Sequence, residues 1–222
     1  MTRIGIVAAF PGELKPLVRG WRRQGNLWFG RIGSHEAVAT CAGMGAAAAT
    51  RACETVFAAG PLEWLASIGY AGSLSCGLRP PQACAVREVI DAGTGERFPA
   101  ANQEGQRLIT LDRVAGPEEK RRLAETYQAV LVDMEAAAVA RFAAAHGLRF
   151  LCFKAVSDGP GDKLPDFHRI AGPDGQLRVA ALAAYALLHP QDWRAFWRLA
   201  QKSHQAAAEL ANFLSRSLGG SQ

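Results

Sequence analysis

Short apolar runs of strand character alternate with helical text along most of this 222-residue chain, and that alternation limits the fold more than any other feature. The run "RIGIVAA" is β-branched and short, and "PGELKPLVRG" after it has a proline and an acidic residue suited to a first helical turn. "LWFGRIGSHEAVATCAG" reads as two strands about a Gly-Ser turn, and "MGAAAATRACETVFAAG" as a packed helix. "WLASIGYAG", "ACAVREVIDAG", "QRLITLD", "AVLV" and "RFLCFKAV" supply further strands, with "GPEEKRRLAETY" a polar-faced helix between two of them. Such alternation predicts the α/β class: a three-layer domain with a central mixed sheet flanked by helices.

The length and the 49% apolar composition suit one domain over 1–222, with a helical carboxyl-terminal segment at 176–217 divided by Pro190. Trp193, Phe196 and Trp197 stand at helical spacing there, which reads first as core and second as an apolar substrate wall or membrane-facing patch. "SDGPGDKLPDFHRIAGPDG" is the longest glycine- and proline-rich stretch, the kind of loop that serves binding sites beside α/β sheets.

Several classes of function are disfavoured. The net charge of +5 is scattered apart from short clusters such as "RGWRR" and "EEKRR", which read as solvated surface, and no nucleic-acid-binding motif accompanies it. Five cysteines without a CxxC pair read as small core residues in a reducing compartment. The amino-terminal text lacks a signal-peptide pattern and no apolar run reaches membrane-spanning length, so a cytoplasmic protein is expected. The histidines form no metal-ligand spacing, "CAGMG" lacks the dinucleotide-binding pattern, and Ser157 lacks a nucleophile elbow; no metal or cofactor is expected.

The candidate chemistry lies in carboxylates. Ligands of open α/β sheets sit beyond the carboxyl ends of strands, and Glu13, Glu135 and Asp158 each follow a predicted strand. Three carboxylates with few obligatory cations suit a neutral, hydroxyl-rich ligand, because they accept hydrogen bonds from sugar hydroxyls and relay protons. Each also has a structural explanation: Glu13 and Asp133 as helix-start acids, Asp158 as a turn cap. Glu135 is the hardest to dismiss, since Ala136, Ala137 and Ala138 leave room beside it.

"IGIVAAFPGEL", "CAGMGAAAA", "IGYAG", "VDMEAAAVARFA" and "FKAVSD" occur in the order found in the purine nucleoside phosphorylase and methylthioadenosine/adenosylhomocysteine nucleosidase superfamily, which the chain resembles over roughly residues 3–160. The resemblance implies a nucleoside phosphorylase-like fold and cleavage of the N-glycosidic bond of an adenine nucleoside. It assigns Met134 and Glu135 to ribose, Val114, Ser157 and Asp158 to the base, and Glu13, Gly43 and Tyr70 to the nucleophile pocket. Glu13, Glu135 and Asp158 are the implied catalytic set. Protonation at purine N7 by Asp158 would neutralise the departing base, and Glu13 would take a proton from attacking water.

Related phosphorylases hold phosphate with arginines where this chain has Glu13 and Ser67, so water is favoured as nucleophile and phosphate is the alternative co-substrate. Arg31, Arg51 and Arg113 are the arginines that would serve phosphate instead. Two positions depart from the family pattern: Tyr70 stands where a small residue is usual, and Arg113–Val114 where an aromatic residue commonly meets adenine. The carboxyl-terminal text resembles the hopanoid-associated branch, which implies adenosylhopane as substrate, an apolar 5′ substituent and peripheral contact with the inner membrane surface. The resemblance also implies a homodimer or larger homo-oligomer. Alternatives are a phosphorolytic enzyme, a methylthioadenosine/adenosylhomocysteine nucleosidase and a non-catalytic nucleoside- or lipid-binding module.

Overall fold

The computed structural model describes residues 2–102, 104–162 and 193–220. In chain order the elements are β1 (Arg3–Ala8), α1 (Pro11–Leu14), β2 (Arg22–Gln24), β3 (Leu27–Ile32), β4 (His35–Cys41), α2 (Ala46–Ala58), β5 (Trp64–Ser73) and β6 (Ala83–Asp91). They continue as β7 (Arg97–Pro99), β8 (Gln106–Thr110), α3 (Pro117–Tyr127), β9 (Leu131–Asp133), α4 (Ala136–Ala145), β10 (Arg149–Asp158) and α5 (Trp193–Gly219).

The sheet is mixed. β1 pairs in parallel with β4 and β5, β5 with β10, β6 with β8, and β8 with β9. β10 also pairs antiparallel with β6, and β9 antiparallel with β5. The path β5–β9–β8–β6–β10 therefore returns to β5 and closes a five-strand circuit, while β1, β4, β3 and β2 extend from one side of it. Pairing on both sides protects the long strands β5 and β10 from leaving an open edge.

Side-chain alternation along the strands feeds two helix layers. In β1, Ile4, Ile6 and Ala8 pack on the face that receives Leu14 from α1 and Ala206, Leu210, Leu214 and Leu218 from α5. That α5 spacing is the stripe of an amphipathic helix. Val7 points to the opposite face, with Ala49, Ala52 and Val56 of α2 and Ala136, Val139 and Ala143 of α4. The small side chains let α2 and α4 lie close to the sheet and to one another.

Most expected elements are present. β2 and β7 were not legible: each has three residues, and their mainly exposed side chains carry no apolar alternation. "PGELKPLVRG" yields only a four-residue helix, since Pro16 has no N–H for a further turn. The cysteines are all free, but only Cys53 and Cys152 are buried; Cys76 is exposed, contrary to a core role for all five. The helix expected over 176–189, the loop beyond residue 162, and the side chains of Trp193, Phe196 and Trp197 lie outside the described residues.

Candidate active site

Glu13 stands in the single turn of α1, directly after β1, and is 3% exposed. Its Oε2 accepts hydrogen bonds from the N–H groups of Ala9 at 2.9 Å and Phe10 at 2.8 Å, and Oε1 accepts one from the N–H of Tyr70 at 2.8 Å. Burial raises its pKa, and those N–H donors together with the charge of Lys154 oppose the rise. Gly69 makes this fit possible: at φ +142°, a Cβ there would lie 2.7 Å from Oε1. Gly43 is buried against the same turn, its N–H donating to the Ala9 carbonyl at 3.0 Å. The half-buried Tyr70 packs with the apolar layer under α1 and α5, and burial and Glu13 both raise its phenol pKa. Glu13, Gly43 and Tyr70 thus meet where the ends of β1, β4 and β5 converge.

Glu135 precedes α4 directly. Its Oε1 accepts a hydrogen bond from the N–H of Gly45, at the start of α2, at 2.7 Å, and Oε2 one from the N–H of Met134 at 3.3 Å. Burial, then the charge of Asp133, push its pKa up to about 7 against the pull of Lys154 and the Gly45 N–H. Met134 is half-buried beside it.

Asp133 has a different task. Its Oδ1 accepts from Thr110 Oγ1 at 2.7 Å, while Oδ2 accepts from the N–H of Ala136 at 3.0 Å and lies 2.8 Å from Lys154 Nζ. It caps the start of α4 and holds a buried cation. Burial works against the charge on Lys154, yet Asp133, Cys152 and Glu135 outweigh it and raise the pKa above the usual lysine value. Lys154 Nζ also donates to Ser67 Oγ at 3.1 Å.

Asp158 ends β10 and is 2% exposed. Its Oδ1 accepts from Ser157 Oγ at 2.6 Å and its Oδ2 faces Lys120 Nζ at 2.5 Å. Lys120 also donates to the Gly159 carbonyl at 2.7 Å. Gly72 provides the space, for a Cβ there would lie 2.9 Å from Asp158 Oδ2. Glu13 and Asp158 are therefore seated over Gly69 and Gly72 of one strand, β5. Val114 is half-buried at the start of the segment leading to α3.

Two buried cations correct the expectation of a cation-poor pocket. Lys154 shares one charge cluster with Glu13, Asp133 and Glu135, and Lys120, in the "EEKRR" stretch expected to be solvated, is 1% exposed. Lys154 follows the strand text "RFLCF" with no break in pattern, and Lys120 stands among charged neighbours, so neither announces its burial. Arg113 is committed to Glu119 at 2.6 Å and Asp112 at 3.1 Å, at the surface. Among the described residues no group of three or more His, Cys, Asp or Glu could hold a metal ion.

Carboxylates gather at the ends of β1, β9 and β10 of the mixed α/β sheet, and this fold and site are those of an N-glycosidic-bond-cleaving enzyme, nucleosidase or nucleoside phosphorylase. Residues 3–115 and 103–189 match the family described as the Phosphorylase superfamily, and the chain belongs to that superfamily. No curated protein sequence matches it. Similar solved structures include a mutant of Helicobacter pylori MTAN with 5′-methylthioadenosine in the active site, at 15% identity and TM-score 0.74, covering 99% of each chain. Another is the Streptococcus pyogenes S-adenosylhomocysteine nucleosidase in complex with 5-methylthiotubericidin, at 17% identity and TM-score 0.74, covering 100% of this chain and 98% of that one. The futalosine hydrolase of Helicobacter pylori is similar at 15% identity and TM-score 0.73, covering 99% of this chain and 98% of its own.

Proposed function

We propose that the protein hydrolyses the N-glycosidic bond of an adenine nucleoside bearing a 5′ substituent, with methylthioadenosine and adenosylhomocysteine as the first substrates. The observation that carries this is the gathering of the buried Glu13 and Lys154 with the half-buried Glu135 at one end of the sheet, where backbone N–H groups orient both glutamates. A carboxyl with its pKa near 7 is suited to exchange hydrogen bonds with ribose hydroxyls, which is the role of Glu135, with Met134 packed against the sugar. Glu13, with raised proton affinity and an orientation fixed by three backbone N–H groups, is suited to take a proton from water. Asp158, with Ser157, serves purine N7, and Val114 borders the base. As the bond breaks, positive charge develops on the ribosyl carbon, and the carboxylates stabilise it.

Water is preferred to phosphate because the cation whose charge acts on Glu13 is already engaged: Lys154 is bound by Asp133 and Ser67. A phosphate dianion would meet Glu13 and Glu135 without a free positive partner from that lysine. The 5′-thio nucleosides rank ahead of adenosylhopane because solved structures of the same fold hold 5′-methylthioadenosine or 5-methylthiotubericidin. Adenosylhopane rests on the resemblance of the carboxyl-terminal text alone. Among the described residues no helix is long and apolar enough to cross a membrane. A homodimer or larger assembly and a cytoplasmic location belong to the same proposal, and contact with the inner membrane surface belongs only to the hopanoid substrate.

The test is adenine release from methylthioadenosine, adenosylhomocysteine and adenosylhopane, each with and without phosphate. Release without phosphate from the thio-nucleosides is expected. Release that requires phosphate overturns the hydrolytic reading, and preference for adenosylhopane overturns the substrate ranking. Adenine-nucleoside binding with no release from any of them would support the binding-module alternative.

A further inference from the structure

Lys120 is an unusual residue to bury in a small helix. Removing an ammonium from water is costly even when a carboxylate is near, and an apolar residue beside the buried Leu123 would avoid that cost. What Lys120 gains is contact with Asp158, at 2.5 Å, and with the Gly159 carbonyl, at 2.7 Å. Asp158 is held at both oxygens, Oδ2 by Lys120 Nζ and Oδ1 by Ser157 Oγ, which also lies 3.4 Å from the Ala71 carbonyl. The contact thus sets a second proton-carrying group, the Lys120 side-chain nitrogen, directly on the carboxyl that faces the base.

We propose that Lys120 is the positioning residue and proton reservoir for Asp158 in departure of the base. The inference rests on the nucleoside-cleaving function proposed above. As the bond from the ribosyl carbon to N9 breaks, its electron pair passes to the purine. A proton passes from Lys120 Nζ to the Asp158 carboxylate, which delivers it to N7. Asp158 is regenerated as a carboxylate, Lys120 is left as a neutral amine, and Glu13 holds the proton lost by the attacking water as oxygen bonds to carbon. Total charge is unchanged, and exchange with solvent returns the proton from Glu13 to Lys120 after product leaves.

The surroundings fit this role. Gly72 of β5 leaves room for the pair, since a Cβ there would lie 2.9 Å from Asp158 Oδ2 and 3.4 Å from Lys120 Cε. Val132 of β9 adds an apolar wall. The other charged groups on this side are Asp162, whose Oδ2 accepts from the Gly159 N–H at 2.9 Å, and Lys202 of α5, 3.0 Å from the same oxygen. Asp162 is thus held directly by Lys202 and feels the charge of Lys120 only at longer range, whereas Asp158 is in direct contact with Lys120.

The experiment measures kcat and KM for methylthioadenosine from pH 5 to pH 9 in the wild type, Lys120→Met and Lys120→Arg, with folding followed by circular dichroism. Arginine keeps the positive charge but does not release its proton in this range. Both variants are expected to lose kcat about 100-fold or more at pH 8 with KM changed less than about threefold, within the range for a proton-transfer group. Lys120→Met is expected to recover at least tenfold, relative to the wild type, toward pH 5, where solvent can supply the missing proton. Arg at this position with kcat within threefold of wild type, or an equal loss for Met at pH 5 and 8, overturns the proton-reservoir role. Loss of folding in both variants assigns Lys120 to structure and also overturns it. No adenine release by the wild type at any pH overturns the functional reading itself, whereas release by a wild type with an unimpaired Lys120→Arg overturns this inference alone.

Discussion

The ammonium of Lys154 lies 2.8 Å from Asp133 Oδ2, with both side chains withdrawn from solvent, and this pair ties the end of β9 to β10. The same Asp133 oxygen accepts the first N–H of α4, so the ion pair also fixes the helix start from which Glu135 projects. Removing the lysine strands a buried carboxylate. Lys154→Met is expected to lower stability by about 3–5 kcal/mol, read from urea unfolding at pH 7. A loss below about 1 kcal/mol would mean that Asp133 is satisfied without it.

Glu135 touches the rest of the site through the N–H groups of Gly45 and Met134, leaving its carboxyl available to hydroxyl donors from a ligand. Glu135→Gln is expected to weaken nucleoside binding by about 10- to 100-fold, the worth of one or two hydrogen bonds to a charged group, and to leave free adenine nearly unaffected. Calorimetric titration with both ligands checks this. Equal losses would contradict a ribose-specific role.

The raised pKa of Glu135 also has a sign in stability. A carboxyl raised from 4.5 to about 7 binds a proton more tightly in the folded state, so its contribution is full below pH 4.5 and is lost as pH rises through 7. Relative to Glu135→Gln, the wild type is therefore expected to lose about 1–3 kcal/mol between pH 5 and pH 8. Glu13 shifts in the same direction but is present in both proteins. Parallel stability curves would show that Glu135 titrates normally.

Gly69 approaches Glu13 too closely for any side chain, and its φ of +142° is unfavourable for one. Gly69→Ala is expected to displace the Glu13 carboxylate, reduce kcat at least tenfold and cost about 1–3 kcal/mol of stability. Activity and thermal unfolding read the two effects. Unchanged turnover would show that the position of Glu13 does not control the reaction.

The strand and helix text was legible where burial repeats, as in "RIGIVAA", whose Ile4, Ile6 and Ala8 face one layer and Val7 the other. The acidic residues were legible because each follows such a run. Their cations were not. Lys154 and Lys120 gain their meaning only from contacts across the sequence, to Ser67 at 3.1 Å and to Asp158 at 2.5 Å, and a lysine in a strand or a polar helix carries no local mark of burial. Asp133 reads in the sequence only as a helix-start acid, and it does accept the helix N–H, but its lysine partner leaves no mark there, nor does the distant glycine whose N–H Glu135 accepts.

The central claim is hydrolysis, and the oxygen at the anomeric carbon reports it most directly. Methylthioadenosine should be turned over in water enriched in ¹⁸O with phosphate present, and the sugar product weighed promptly by mass spectrometry, with a parallel sample of free sugar correcting for exchange. The account predicts free methylthioribose carrying one ¹⁸O atom from solvent at the anomeric position. Methylthioribose 1-phosphate would contradict it.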